Sequence, residues 1–213
     1  MNHCDKLIAL YERLYNAYGP QHWWPAESPF EVIVGAVLTQ NTSWKNVERA
    51  ITSLKATGNL DLARIAALPQ DDLAGLIRSS GFFNVKAMRL KNLCGWLQSR
   101  GGLDALSEWD TDRLRQSLLS INGVGPETAD DILLYAFDRP VFVIDSYTRR
   151  LLKKLGMAGG QEDYETLRQM FEACLAPDHR LYNEYHALIV RHAKEKCTND
   201  DRCRHCAVEA PVN

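Results

Sequence analysis

The residues whose types and spacing suggest chemistry are Gly123, Val124 and Gly125, with Asp145 about twenty positions further on. Two glycines one residue apart, after Leu119-Ser120-Ile121-Asn122 and before Pro126, read as a tight hairpin between two helices. Glycine lets the backbone of such a turn come close to another molecule. Proline suits the first position of the next helix, because its missing N–H would be unpaired there anyway. The hairpin therefore aims free N–H groups and a helix N-terminus at one spot, which is an anion site. Asp145 ends the apolar run Val141-Phe142-Val143-Ile144. One reading makes it the N-cap of a helix opening at Ser146, worth about 1 kcal/mol. The other makes it a fixed negative charge that stabilises a developing cation. The two roles are compatible.

Two further groups carry chemistry. Trp23-Trp24-Pro25 and Trp44 supply flat aromatic surface at chain positions flanking a polar break, Thr39-Gln40-Asn41-Thr42-Ser43. Cys197, Cys203 and Cys206 stand in a C-x5-C-x2-C spacing near the C-terminus, with His205 beside the last. Cys4, Cys94 and Cys174 are scattered and read as reduced packing residues.

The elements that position these groups are helices. Leu7, Leu10, Leu14 and Tyr15 mark an N-terminal amphipathic helix. Ser28-Pro29 opens the next, with Phe30, Ile33, Val34, Val37 and Leu38 facing a core. Further helices are predicted near 45–56, 60–67, 70–79, 86–100 and 110–120, the last leading into the hairpin. Beyond it, Ala129, Ile132, Leu133, Ala136 and Phe137 make one apolar stripe. Helices near 146–155, 164–175 and 180–196 complete the chain. No segment shows a strand pattern, and there is no internal repeat or low-complexity linker. The expected fold class is all-α.

The chain has 213 residues, 46% of them hydrophobic and 24% charged, an ordinary globular composition able to bury a core. No apolar run reaches the roughly 18 residues of a membrane span. Asp5, Glu12 and Arg13 interrupt what could have been a signal-peptide core, so a cytoplasmic location is expected. The formal net charge of −2 argues mildly against a polyanionic partner. Local clusters offset this: Arg149, Arg150, Lys153 and Lys154; Lys86, Arg89 and Lys91; and Arg191, Lys194, Lys196, Arg202 and Arg204.

The hairpin, the helix after it and the apolar run ending in Asp145 together resemble the helix-hairpin-helix DNA glycosylases of the endonuclease III superfamily. The resemblance covers roughly Trp23 to Gly156 with specific motifs. It implies two helical lobes with a DNA-binding cleft between them: one over 22–135, the other built from 1–21 and 136–213 with a Cys-rich C-terminal loop. It assigns Gly123, Val124 and Gly125 to the DNA backbone beside a damaged base, with Arg149 as a further DNA contact. Gln40 becomes the residue that fills the gap left by the extruded base. The Gly-aromatic-x-x-x-Lys-Ala turn, here Gly81 to Ala87, touches the opposite strand, with Phe82 or Phe83 as a wedge and Lys86 as a DNA contact. Asp145 becomes the catalytic carboxylate, and Trp23, Trp24 and Trp44 border the base pocket.

Departures from endonuclease III narrow the activity. Its members that cleave the backbone carry a Lys two residues after the second hairpin Gly, and Glu127 stands there. A carboxylate forms no imine, so no AP-lyase step is expected. Adenine-mismatch relatives carry a Glu where this chain has Gly35. The double Trp-Pro segment, Gln40-Asn41-Thr42-Ser43-Trp44 and Glu127-Thr128-Ala129-Asp130 are most similar to the 3-methyladenine DNA glycosylase III type. The implied function is monofunctional excision of a damaged base, an alkylated purine, from double-stranded DNA; a monomer is the default expectation, and the lack of long apolar runs leads us to expect no membrane partner. A thymine- or uracil-mismatch or endonuclease III-like glycosylase is one alternative; a non-catalytic helix-hairpin-helix DNA-binding protein is another. Cys197, Cys203 and Cys206 nearly match the first three ligands of the endonuclease III iron–sulfur cluster, but no fourth Cys follows. A cluster completed by another group, a zinc site using His205 and an empty site all stay open.

Overall fold

A computed structural model describes residues 2–197 of the chain. Its elements are twelve α-helices and one short 3-10 turn, with no strand among the described residues. The chain divides into two compact units, one spanning Ala26–Phe137 and the other built from the residues before and after it.

The Ala26–Phe137 unit holds α2 (Pro29–Leu38), α3 (Trp44–Ala56), α4 (Leu62–Ala67) and α5 (Gln70–Leu76). A 3-10 turn (Arg78–Ser80) then leads to α6 (Phe83–Ser99), α7 (Gly102–Ser107), α8 (Thr111–Leu119) and α9 (Pro126–Ala136). Helix α2 is buried on every side, because its residues from Phe30 to Leu38 are almost wholly apolar. Ser28 caps it, accepting from the Glu31 amide at 3.2 Å, and Pro29 occupies the first turn. Around it pack α9, α3 and α6. Helix α7 has no counterpart in the sequence reading. Six residues opened by two glycines carry too little periodicity to declare a helix.

The second unit holds α1 (His3–Tyr18), α10 (Ser146–Lys154), α11 (Tyr164–Glu172) and α12 (His179–Lys196). A capping box of Asn2 and Asp5 opens α1. Helix α12 packs against α10 and α1. The core between them is aromatic: the rings of Phe142 and Phe171 stack at 3.9 Å, and Tyr182 and Tyr185 meet Phe142 edge-on. The Tyr185 hydroxyl donates to the Leu7 carbonyl at 2.8 Å, which satisfies its one polar atom. Val141 to Ile144 is buried but pairs with no strand. Side chains take two of its backbone donors instead, Phe142 N–H donating to Glu172 at 2.9 Å and Ile144 N–H to the Tyr164 hydroxyl at 3.3 Å, while Val141 N–H donates to the Arg139 carbonyl at 2.8 Å.

Two expectations are corrected here. The boundary falls after Pro25 rather than before 22, so Trp23 and Trp24 belong to the unit of Asp145. A long-range contact holds this segment: the Gln21 amide donates to Glu184 of α12 at 2.7 Å. Cys4 and Cys174, read as separate reduced residues, form a disulfide across a sequence separation of 170. Such a pairing is decided by tertiary proximity, which no spacing reveals.

Candidate functional site

In the Ala26–Phe137 unit the hairpin is closed by two backbone bonds, Ile121 N–H to Leu118 O and Val124 N–H to Ile121 O, both 3.0 Å. Ile121 and Val124 are buried, so the Val124 side chain anchors the turn and only its backbone is available to a ligand. Gly123 has φ +98°, and a Cβ there would lie 2.2 Å from Arg89 Cγ. Both the backbone angle and the close approach demand glycine. Gly125, Pro126 and Glu127 are exposed, and α9 begins without a side-chain cap. The N-terminus of α9 thus presents backbone N–H groups where an anion can reach them. From below, a buried bidentate pair fixes α8 to α9: Arg115 donates to the two Asp130 oxygens at 2.6 and 3.0 Å.

Gln40 meets the hairpin directly. Its Nε2 donates to Gly123 O at 3.2 Å and to the Thr128 hydroxyl at 2.9 Å. Arg89 donates to its Oε1. Asn41, with φ +53°, turns the chain sharply after it. Trp44, the first residue of α3, is partly exposed and donates from its indole to Glu48 at 2.8 Å.

One residue expected at DNA is corrected. Lys86 is only 1% exposed, and its ammonium donates inward to Leu38 O at 2.9 Å and Ser80 O at 2.6 Å. It caps the last carbonyl of α2 and the end of the 3-10 turn instead of reaching DNA. Burial, helped by the nearby Arg89 charge, pulls it down to about 8. Phe83 is half-buried under the Arg78 guanidinium, 5.4 Å from the ring centre. Its neighbour Phe82 is 68% exposed in a left-handed conformation and is the aromatic of this turn that is offered outward.

In the other unit Asp145 is the N-cap of α10. Its Oδ1 accepts the Thr148 amide at 2.7 Å, and its Oδ2 lies 3.6 Å from His186 Nε2 on α12. Burial alone would raise this carboxyl. The nearby His186 charge, with the Thr148 amide and hydroxyl, outweighs it and holds the group below the ordinary carboxylate range. Arg149 donates to the Glu162 carbonyl at 2.8 Å, so part of its guanidinium is engaged within its own unit. Trp23 and Trp24 are both partly exposed, with ring centres 5.4 Å apart. Trp23 lines a cavity of about 200 Å³ with Gln21, Ala187, Val190, Arg191 and Lys194. Lys194 Nζ stands 5.3 Å from the Tyr147 ring; burial lowers its affinity for a proton and the Asp145 charge opposes that.

Sequence reasoning missed His186 entirely, because a histidine among the apolar residues of a helix reads as core. Arg89, Arg191 and Lys194 appeared only as members of basic clusters. Of the three cysteines, Cys197 is buried at the end of α12, and Cys203 and Cys206 lie outside the described residues. Among the described residues no three His, Cys, Asp or Glu side chains gather to hold a metal.

Comparison with known proteins places these features in a family. The model of the HhH-GPD superfamily of base excision DNA repair proteins matches residues 34–177. A protein of Methanocaldococcus jannaschii, named provisionally as a DNA repair glycosylase, is 46% identical over 211 residues, covering 98% of this chain and 96% of its own. Endonuclease III of Sulfolobus acidocaldarius is 29% identical over 181 residues, covering 84% and 79%. Among solved structures, an H. pylori 3-methyladenine DNA glycosylase bound to 1,N6-ethenoadenine superposes with a TM-score of 0.79 at 33% identity, over 92% of this chain and 99% of that one. An endonuclease III bound non-covalently to DNA superposes with a TM-score of 0.81 at 19% identity, over 98% and 94%, a likeness of fold.

Proposed function

The chain belongs to the HhH-GPD superfamily of base excision DNA repair proteins and is a DNA glycosylase, and we propose that it is a monofunctional one, with Asp145 as the catalytic carboxylate and a damaged purine as the base removed. The observation that carries this reading is the state of Asp145: a carboxylate held ionised and oriented at a helix N-terminus, in the unit that also carries Trp23 and its cavity. Cleavage of the bond from the base to C1′ passes through an oxocarbenium-like state. A fixed negative charge near C1′ stabilises that cation, and the same group can orient or deprotonate the attacking water.

The hairpin backbone and the start of α9 are suited to DNA phosphate. Extruding the base costs a few kcal/mol. Gln40 would fill the vacated space, and exposed Phe82 would wedge the opposite strand. Stacking on Trp23, Trp24 or Trp44 would return about 1–3 kcal/mol. Glu127 stands where a lyase would need an amine, which supports hydrolysis without strand cleavage. The ligands remaining for an iron–sulfur cluster lie outside the described residues, and this chemistry uses none of them.

The test is release of free bases from methylated duplex DNA by the wild type and by Asp145→Asn. We expect 3-methyladenine from the wild type, and a loss of at least about 100-fold in the variant with duplex binding retained. Borohydride should trap no protein–DNA adduct. Release by Asp145→Asn at the wild-type rate would remove Asp145 from the mechanism. A second reading rests on Arg191 and Lys194, which line the cavity beside Trp23 and disfavour a base that already carries positive charge. It assigns a neutral lesion, an ethenopurine or a mismatched thymine or uracil, and the same assay on those duplexes decides between the two.

A further inference from the structure

His186 lies one face into α12 between buried Tyr185 and Ala187, and it is only 5% exposed. It is too deep to meet DNA. What it meets is the carboxylate of Asp145: Nε2 stands 3.6 Å from Oδ2. The N-cap bond fixes the other oxygen, Oδ1, through the Thr148 amide at 2.7 Å. One bond alone would leave rotation about the terminal torsion of an aspartate soft. The Thr148 amide bonds one oxygen, and from the packed helix α12 His186 Nε2 faces the other at 3.6 Å as an electrostatic contact, so the two together favour one plane of the carboxylate. The side chain keeps 13% of its surface exposed, so one edge remains open to a reacting sugar.

We infer that His186 is the positioning residue of Asp145, holding the carboxylate in one orientation; the inference rests on the assignment of Asp145 as the catalytic carboxylate. Electrostatics support the geometry. Burial penalises the charge on Asp145, and the His186 charge heads the interactions that offset it. The other charged groups near the site do less. Lys194, also on α12, interacts with Asp145 from beside the Tyr147 ring. On α10, Arg149 is turned to the Glu162 carbonyl and Arg150 to the Ala193 carbonyl. A group held ionised this way keeps its catalytic form at pH values where an equally buried aspartate would take up a proton.

The experiment is the pH dependence of single-turnover base release by the full chain, measured for wild type, His186→Gln, His186→Ala and Asp145→Asn. Gln keeps a donor but no charge; Ala keeps neither. We expect the acid limb to move up by roughly one pH unit in both His186 variants. The plateau rate should stay near wild type in Gln and fall about tenfold in Ala, with duplex affinity unchanged in both. Profiles that superimpose on the wild type would overturn the inference, as would a loss of rate that is the same at every pH. If Asp145→Asn is as active as the wild type, it is the assignment of Asp145 that fails, and the two failures are thereby distinguished. Should neither His186 variant fold, the carboxyl carbon of Asp145 is titrated by NMR in the wild type. Two steps in that titration support the coupling, and a single step overturns it.

Discussion

Lys86 shows at the residue scale how one side chain can be read for one task and used for another. The family resemblance of its Gly-aromatic turn implied a DNA contact, yet its ammonium is buried against two carbonyls. The consequence is a pH dependence with a definite sign. A lysine held at about 8 when folded releases its proton before the unfolded chain does. Folding stability from this group therefore rises as pH climbs from about 8 toward 10.5 and is lowest where the lysine is charged. Urea unfolding of wild type and Lys86→Met at pH 7.5 and 9.5 should show the wild type's advantage growing with pH. At both pH values Met should be destabilised by about 1–3 kcal/mol, because it leaves the Leu38 and Ser80 carbonyls without a donor. A difference that is flat with pH would mean that Lys86 stays charged throughout.

At the scale of elements, the hairpin is a rigid part because the helices on either side are locked. Ile121 and Val124 sink into the core, and the Arg115–Asp130 pair bolts α8 to α9. Removing one partner of such a pair strands a buried charge, so Arg115→Met should cost about 3–5 kcal/mol by chemical denaturation. Arg115→Met with Asp130→Leu should cost less than the single change. Gly123 is more local. Alanine there must adopt φ +98° and displace the Arg89 stem that also holds Gln40. Gly123→Ala should cost about 1–3 kcal/mol of stability. Its affinity for undamaged duplex should fall about tenfold, read by fluorescence anisotropy at one fixed salt concentration. An unchanged affinity would mean that the hairpin does not carry the backbone contact.

At the scale of the whole molecule, the segments before and after the Ala26–Phe137 unit are joined by a covalent bridge. Cys4 in α1 and Cys174 just after α11 close a loop across a separation of 170 residues. A bridge over so long a stretch limits the unfolded chain more than the folded one, and about 2–4 kcal/mol is the usual gain. Thermal unfolding with and without reductant should show a drop in Tm on reduction that Cys4→Ser reproduces and that reductant does not deepen. No change on reduction would leave the thiols unpaired in solution.

The sequence by itself determined every helix but α7, several caps and the hairpin, because these depend on neighbours a few residues apart. Ser28-Pro29, Gly125-Pro126 and Asp145-Ser146 are such cases. It also placed the chain near its family through motifs that short-range chemistry demands, and the family match confirms that placement. Tertiary structure alone decided which side chains face inward or meet across long separations. Lys86 turns to α2, Phe82 rather than Phe83 turns out, Gln40 reaches Gly123, and Trp23 joins the unit of Asp145. His186 meets Asp145 across 41 positions of sequence, and Cys4 meets Cys174 across 170. Periodicity fixes the face of a helix but not the partner that face will find, since the partner is set by packing of the whole chain.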